Sequence, residues 1–391
     1  MQTTHTWRNI LATGLALFSM FFGAGNVVFP LAIGQMAESQ NIFAILGLLI
    51  TAVGVTFLGL IAMSLYDGDY KSFFSRLGNK TGFVIALLIM GLIGPFGALP
   101  RCIALSHATT DFFFPGIPLP WFSFFAVIVI FLLTIRRSSI VDILGYFLTP
   151  FLLITLGVIV VKGLLFHPET TASNNDAMAT FLTGLKEGYQ MMDLLGAFFF
   201  SSVVILGIKK DLSAIGGYDH KKMINFTLKA SFVAAILLSL VYIGFSFVSA
   251  LHNSELAAAP KDQLIAQISL HILGPYAGLV ACAAVALATL TTAIALAAVS
   301  AEFVHTDISQ GRISYGASLI GTLVISYFIS TLNFSGIIHF LAPILEVLYP
   351  ALILLSILNI LHKLYGIKTV KGPVLALFLA TLAFYAWQFL A

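Results

Sequence analysis

Charge is what this chain has least of. Of its 391 residues only 9% are Asp, Glu, Lys or Arg, against about 25% in a soluble globular domain. That scarcity excludes a soluble enzyme and a disordered chain, both of which need polar surface to stay in water. A nucleic-acid binder is excluded as well, because the formal net charge of +3 is spread over connecting segments and never gathers into a basic face. Cysteine is nearly absent. Cys102 and Cys282 stand alone inside apolar runs, which define neither a disulfide framework nor a zinc site with its closely spaced ligands. Paired carboxylates, a ligand-spaced histidine pair and a nucleophile beside its base are also missing. No enzymatic activity and no cofactor are therefore expected.

What the chain has in excess is apolar residues. They make up 59% of the sequence, 35 of them Phe, and the mean hydropathy is +1.03. The runs are long and continuous. A membrane-crossing helix needs about 20 such residues, whereas a transmembrane barrel would show alternating strands of about ten. Helical spans are predicted near 8–34, 42–66, 82–110, 119–136, 140–166, 178–208, 222–250, 274–303, 313–331, 334–363 and 372–390, eleven in all. The tenth is interrupted by Pro343, Glu346 and Pro350, and reads as one bent helix or as two short pieces. Residues 263–273 carry Leu264, Ile265, Ile268 and Ile272 on one helical face; an interfacial helix, a small lid and a plain connector all fit.

The first run has a second reading as a cleaved signal, with Gly23, Ala24 and Gly25 as the small residues. Its apolar character continues to Ile33, past the 7–15 residues or so of a signal core, which favours a span. With the N-terminus inside, the inner connections collect Arg8, Lys71, Arg76, Lys80, Arg136, Arg137, Lys209, Lys210, Lys221, Lys222, Arg312, Lys363, Lys368 and Lys371. Only Lys162, Lys186 and Lys261 fall outside. This asymmetry supports both the orientation and the span count.

Two spans contain sequence that is poor helix material at mid-membrane. The first holds Phe22-Gly23-Ala24-Gly25-Asn26, then Phe29-Pro30. If the helix opens there, the bare N–H groups of Gly23 to Asn26 carry partial positive charge and suit a carboxylate; close packing through small residues explains the same glycines. The sixth holds Asp193, followed by Gly196-Ala197-Phe198 as a plausible opening. A charge within a span is expected to face protein, water or an ion, unless Asp193 sits near the outer interface as a solvated cap. Spans one and six open two sets of five with opposite topology, and broken helices at matching places mark the binding site of a secondary transporter. The expected fold is therefore an all-α polytopic membrane protein with a five-plus-five inverted repeat, helices 1 and 6 discontinuous. The repeats cover 8–166 and 178–364, with an additional helix at 372–390. In span eight, Thr291 and Thr292 share a face with the Ala288 carbonyl, a neutral all-oxygen cluster suited to sodium. Back-bonding to the helix's own turn accounts for the threonines equally well.

At these residues the sequence resembles the bacterial branched-chain amino acid:cation symporters of the amino acid–polyamine–organocation superfamily. The likeness rests on Phe22-Gly23-Ala24-Gly25-Asn26 with Phe29-Pro30 in span one and on Gly94-Pro95-Phe96-Gly97-Ala98-Leu99-Pro100-Arg101 in span three. Gly188-Tyr189-Gln190-Met191-Met192-Asp193 and Leu290-Thr291-Thr292-Ala293 complete it. The resemblance implies uptake of leucine, isoleucine and valine with sodium. It places sodium on main-chain oxygens of Ser19 and Phe22 with Ala288, Thr291 and Thr292. The substrate is expected against Phe22, Gly23, Ala24, Gly25 and Asn26, its amino group against carbonyls around Asp193, Gly196, Ala197 and Phe198. Family members commonly continue to a twelfth span, and this chain stops after the eleventh. Arg101 either snorkels to the outer interface or lines the outer vestibule.

The aliphatic side chain of such a substrate needs an apolar pocket, for which Phe21, Phe22, Phe198 and Phe199 are candidates. One methylene is worth only about 1–3 kcal/mol in such a pocket, so several aliphatic amino acids are expected to share it. Proton coupling through Asp193 or Glu346 is the alternative to sodium. A non-transporting sensor and a channel are more distant; nothing in the sequence supplies a ring of charge or filter carbonyls. Glu302 reads as an interfacial anchor or inner gate, and His107, His339 and Lys229 as packing or interfacial residues. The expected location is a bacterial cytoplasmic membrane, with the lipid bilayer as surroundings; oligomeric state is not readable.

Overall fold

The computed structural model describes residues 7–135, 139–165, 175–214 and 220–390. No strand occurs among them. Among the described residues five helical runs are each long and apolar enough to cross a membrane, and shorter apolar helices lie over 119–135, 150–165, 315–330 and 371–387.

Span one is two helices, α1 (Trp7–Phe21) and α2 (Ala24–Ala37). The break falls at Phe22-Gly23, where expected. Gly23 is extended and has no side chain to cap α2, so Asn26 folds back and its Oδ1 accepts the Gly23 N–H at 3.0 Å. Pro30 inside α2 lacks the N–H that would bond the Asn26 carbonyl. Span two runs through α3 (Asn41–Leu49), a π turn (Ile50–Gly54) and α4 (Val55–Leu65). A short α5 (Tyr70–Ser75) follows.

Span three, read as continuous from sequence, is also broken. Its halves are α6 (Asn79–Ile93) and α7 (Ala98–Phe113), interrupted at Gly94-Pro95-Phe96-Gly97. Pro95 has no amide to continue the ladder, and the break places Arg101 and Cys102 in the first turns of α7. Then come α8 (Leu119–Ile135) and α9 (Ser139–Leu165).

Span six comprises α10 (Ala177–Gln190) and α11 (Asp193–Ala214). The opening lies at Met191-Met192, not at Gly196-Ala197 as the small residues suggested. Met192 takes a left-handed backbone (φ 66°), which ends α10. Gly196 and Ala197 are helical, with the Gly196 N–H already bonded to the Met192 carbonyl at 3.0 Å. Two further helices are α12 (His220–Leu251) and the single-turn α13 (Asn253–Leu256). α14 (Leu264–Phe303) kinks at Gly274, whose φ of 78° only glycine adopts readily. Of the readings open for 263–273, its arm before the kink is a helix rather than a plain connector, with Leu264, Ile265 and Ile268 buried against protein.

The bundle closes with α15 (Tyr315–Ser330), α16 (Asn333–Tyr365) and α17 (Lys371–Leu390). α16 is unbroken despite Pro343 and Pro350, which settles the tenth span as one helix. α3 and α10 cross at backbone distance: a Cβ on Gly184 would stand 2.1 Å from the Ala44 carbonyl oxygen, and one on Gly47 2.2 Å from that of Phe181. Small residues at such crossings replace a hydrophobic drive that lipid does not provide.

Candidate functional site

The breaks in spans one and six meet in one buried place. Asn26, on the first turn of α2, donates from Nδ2 to Asp193 Oδ2 at 2.8 Å and also bonds the Tyr242 hydroxyl. Tyr242, from α12, donates to the same Asp193 oxygen at 3.3 Å. Asn26 is 2% and Asp193 5% exposed. Asp193 is therefore no solvated cap. As the first residue of α11 it also sets a carboxylate against a helix N-terminus, the favourable end.

Across the opening, Arg101 donates from one terminal nitrogen, Nη1, to the carbonyl of Gln190 at 2.7 Å. Gln190 is the last residue of α10, so a cation sits at the negative end of that helix. The guanidinium is 1% exposed and lies 5.7 Å from the Phe29 ring centre. Arg101 neither snorkels nor lines a vestibule; it is part of the buried site.

A cavity of about 40 Å³ joins these groups, lined by Gly23, Ala24, Gly25, Asn26, Arg101, Cys102, Asp193 and Thr292. Met20, Phe21, Ile93, Ala98, Met191, Met192, Gly196, Phe200 and Leu296 form the rest of its wall. It has room for only a few waters. The apolar wall differs from the expected one. Phe21 lines the cavity and meets Phe200 edge to face at 5.9 Å. Phe22 stacks on Phe18 at 5.1 Å, Phe198 packs on Phe73 and Phe74, and Phe199 packs on Tyr70. Ala197 is fully buried toward α4, where a Cβ on Gly59 would lie 3.5 Å from its own. Of the predicted substrate residues, the structure brings Gly23, Ala24, Gly25, Asn26, Asp193 and Gly196 to the cavity, but not the side chains of Phe22, Ala197 and Phe198. Helix phase explains the difference: positions three and seven after Asp193, Gly196 and Phe200, share its face, whereas Phe198 points away.

The oxygen cluster lies at the other side of the first break. Thr291 Oγ1 donates to the Ala288 carbonyl at 2.8 Å; Thr292 Oγ1 is 3.0 Å from the Ala288 and 3.3 Å from the Phe22 carbonyl oxygen. The threonines thus do bond back to their own turn, and Thr292 additionally spans the gap to α1. Ser19 lies half-buried on the last turn of α1. The amide that would continue the ladder onto its carbonyl belongs to Gly23, which donates to Asn26 instead. No hydrogen bond joins Ser19 to α14 among the described residues.

Sequence reasoning missed Tyr242, Phe200 and the buried position of Arg101. A tyrosine deep in α12 carries no local cue, but the Arg101 motif was visible and its charge inside a span was the signal. At one end of the bundle Lys261 pairs with Glu187 at 2.9 Å, and Lys186 with Glu346 at 3.2 Å. At the opposite end Asp307 pairs with Lys71 and accepts the Tyr70 hydroxyl at 2.7 Å. Burial, with the Asp307 carboxylate beside it, holds Tyr70 well above the usual tyrosine range.

Comparison with known proteins shows the family and the fold. The model of the family described as "Branched-chain amino acid transport protein" matches residues 6–386. The branched-chain amino acid permease BrnQ of Bacillus subtilis is 30% identical over 388 residues, covering 95% of this chain and 86% of the permease. BrnQ of Corynebacterium glutamicum is 32% identical, covering 91% and 82%. Among solved structures, MhsT in complex with L-phenylalanine superposes with a TM-score of 0.63 at 15% identity, over 95% of this chain and 98% of MhsT. The closed form of Mhp1, a nucleobase-cation-symport-1 family transporter, gives 0.61 at 15% identity, over 89% and 77%. The fold is thus the five-plus-five inverted-repeat transporter fold.

Proposed function

This chain belongs to the branched-chain amino acid transport protein family, and from that premise we propose that it imports leucine, isoleucine and valine together with sodium by alternating access. The substrate class rests on family membership and on a cavity that combines apolar walls with exposed helix ends. The sodium reading is carried by one observation, the cluster of the Phe22 and Ala288 carbonyls with the Thr291 and Thr292 hydroxyls. These are neutral hard oxygens at the negative end of α1, the donor set such a cation prefers. A cation there ties α1 to α14 and favours the conformation in which both reach it, which is what coupling requires. The membrane is the bacterial cytoplasmic one, with the N-terminus inside, as the Lys and Arg distribution indicates.

A second reading, proton coupling, has its own observation: the Asp193 carboxyl is buried and held by Asn26 and Tyr242. Glu346 supports it less, being paired with Lys186 and partly exposed. Radiolabelled leucine uptake into proteoliposomes under an imposed sodium or an imposed proton gradient separates the two. Sodium-driven accumulation, abolished by Thr291→Ala/Thr292→Ala, is the expected result. Accumulation driven by protons alone removes the sodium site, and no leucine movement by a folded protein removes the substrate class.

A further inference from the structure

We infer that Arg101 is the substrate-recognition residue for the amino acid's carboxylate, and that Asp193, in the wall of the same cavity, receives its ammonium group. The inference deepens the amino-acid reading above and rests on it.

A buried guanidinium is costly unless its donors are used. Arg101 has five N–H donors, and the Gln190 carbonyl takes one of them. Its Nε is buried with no partner. Among the described residues no carboxylate lies within ion-pair distance of it. Pinning α10 to α7 therefore accounts for one donor and leaves the rest of the fork unexplained.

The unexplained part borders the cavity shared with the N-terminus of α2. A Cβ on Gly25 would stand 3.4 Å from Arg101 Nη2 and 3.1 Å from the Met191 Cα. The missing Cβ lets the first turn of α2 lie this close to the Met191 backbone and the guanidinium, beside the cavity that both Gly25 and Arg101 line. An anion there meets a helix N-terminus and a planar fork together, and a carboxylate has the two oxygens the fork matches. The opposite charge is supplied in the same wall. Asp193 Oδ2 accepts from Asn26 and Tyr242, and its side chain borders the same cavity. One buried cation and one buried anion in a single cavity match a zwitterion, and mismatch a ligand lacking either end.

The test is equilibrium binding of leucine and of leucinamide, which replaces the carboxylate by a neutral amide, to the purified full chain in lipid nanodiscs. The parent is expected to prefer leucine by tenfold or more. Arg101→Gln should weaken leucine at least tenfold while leaving leucinamide within about twofold, so that discrimination collapses. Arg101→Lys, which keeps the charge and loses the fork, should fall between. Equal weakening of both ligands, unchanged leucine binding, or failure of both variants to fold would assign Arg101 a structural role and overturn the inference. A parent that binds neither compound overturns the amino-acid reading itself; a parent that binds leucine beside an indifferent Arg101→Gln variant overturns only the inference.

Discussion

Asn26 is the side chain through which the two broken spans are joined, and its replacement offers the sharpest test of the site. It accepts from the Gly23 N–H at 3.0 Å, donates to Asp193 at 2.8 Å and bonds the Tyr242 hydroxyl. A neutral hydrogen bond contributes about 1 kcal/mol net and one to a charged group about 1.5–3. Measured values inside membranes run lower, averaging about 0.6 kcal/mol. Asn26→Ala should therefore cost about 2–5 kcal/mol. Asn26→Asp is nearly isosteric and keeps an oxygen for the Gly23 amide, but sets a second carboxylate where the amide donor was. At the present separation of 2.8 Å, two like charges at an effective dielectric of about 20 repel by about 6 kcal/mol, unless one takes up a proton. The conservative-looking variant is thus expected to be the worse one. Exchanging the two groups, Asn26→Asp/Asp193→Asn, restores one donor and one acceptor and should recover most of the loss. Reversible unfolding in mixed micelles, read as a double-mutant cycle, measures all three. An Asn26→Asp variant as stable as the parent, or a double variant no better than Asn26→Asp alone, would refute the idea that this contact holds the breaks together.

Two further outcomes follow from packing and from the Lys261–Glu187 ion pair. Gly184→Ala drives a methyl to 2.1 Å from the Ala44 carbonyl oxygen, and backbone rather than a flexible side chain must yield. Thermal unfolding should reveal a loss of at least the 1–3 kcal/mol or so typical of overpacking, and a variant within about 0.5 kcal/mol of the parent would show that α3 and α10 do not cross this closely. Lys261→Ala removes the 2.9 Å contact with Glu187 and a cation 5.8 Å from the Phe29 ring centre. The ion pair is partly exposed, so the two contacts together contribute about 1–2 kcal/mol at most. If they hold that end of the bundle shut, labelling of cavity-lining Cys102 by a water-soluble thiol reagent added to the detergent-solubilised protein, in a Cys282→Ala background, should accelerate up to about 5–30-fold. Unchanged labelling would remove the gate role.

The apolar spans were legible because bilayer thickness fixes the length of helix that crosses it, and tertiary context adds little to that. The break at Gly23 was legible for a local reason, a run of residues that favour helix poorly. The break at Met191-Met192 was not, since methionine is a good helix former. The break is flanked by two things composition does not show: Arg101 from a distant span bonds the Gln190 carbonyl, and the Met192 carbonyl already accepts from Gly196 of the new helix. The interruption in span three was readable in principle, because Pro95 between glycines lacks the donor that helix continuation needs. Phenylalanines in a row defeat composition altogether. Phe198, Phe199 and Phe200 are equal as residues and differ only in phase, and one of them faces the cavity.

Each break exposes one helix C-terminus and one N-terminus, with roughly half an elementary charge of opposite sign at each. In span six both ends are answered by the protein: Arg101 lies on the last carbonyl of α10, and Asp193 begins α11. In span one the corresponding ends have no charged residue of their own. The α1 end has the Thr292 hydroxyl, and the α2 end has Asn26 folded onto Gly23. Unanswered ends are costly where water is scarce, so a cation at α1 and an anion at α2 each relieve the same break. Only Phe22 and Gly23 separate the two positions, and opposite charges that close attract. Sodium should therefore tighten leucine binding, and leucine should tighten sodium binding by the same factor, within the 5–150-fold or so typical of such couplings. Leucinamide offers no anion to α2, so its affinity should depend far less on sodium. Titrating both ligands at low and high sodium, with potassium held as replacement, measures the two factors. Equal sodium dependence for leucine and leucinamide would mean that coupling does not run through the charges at this break.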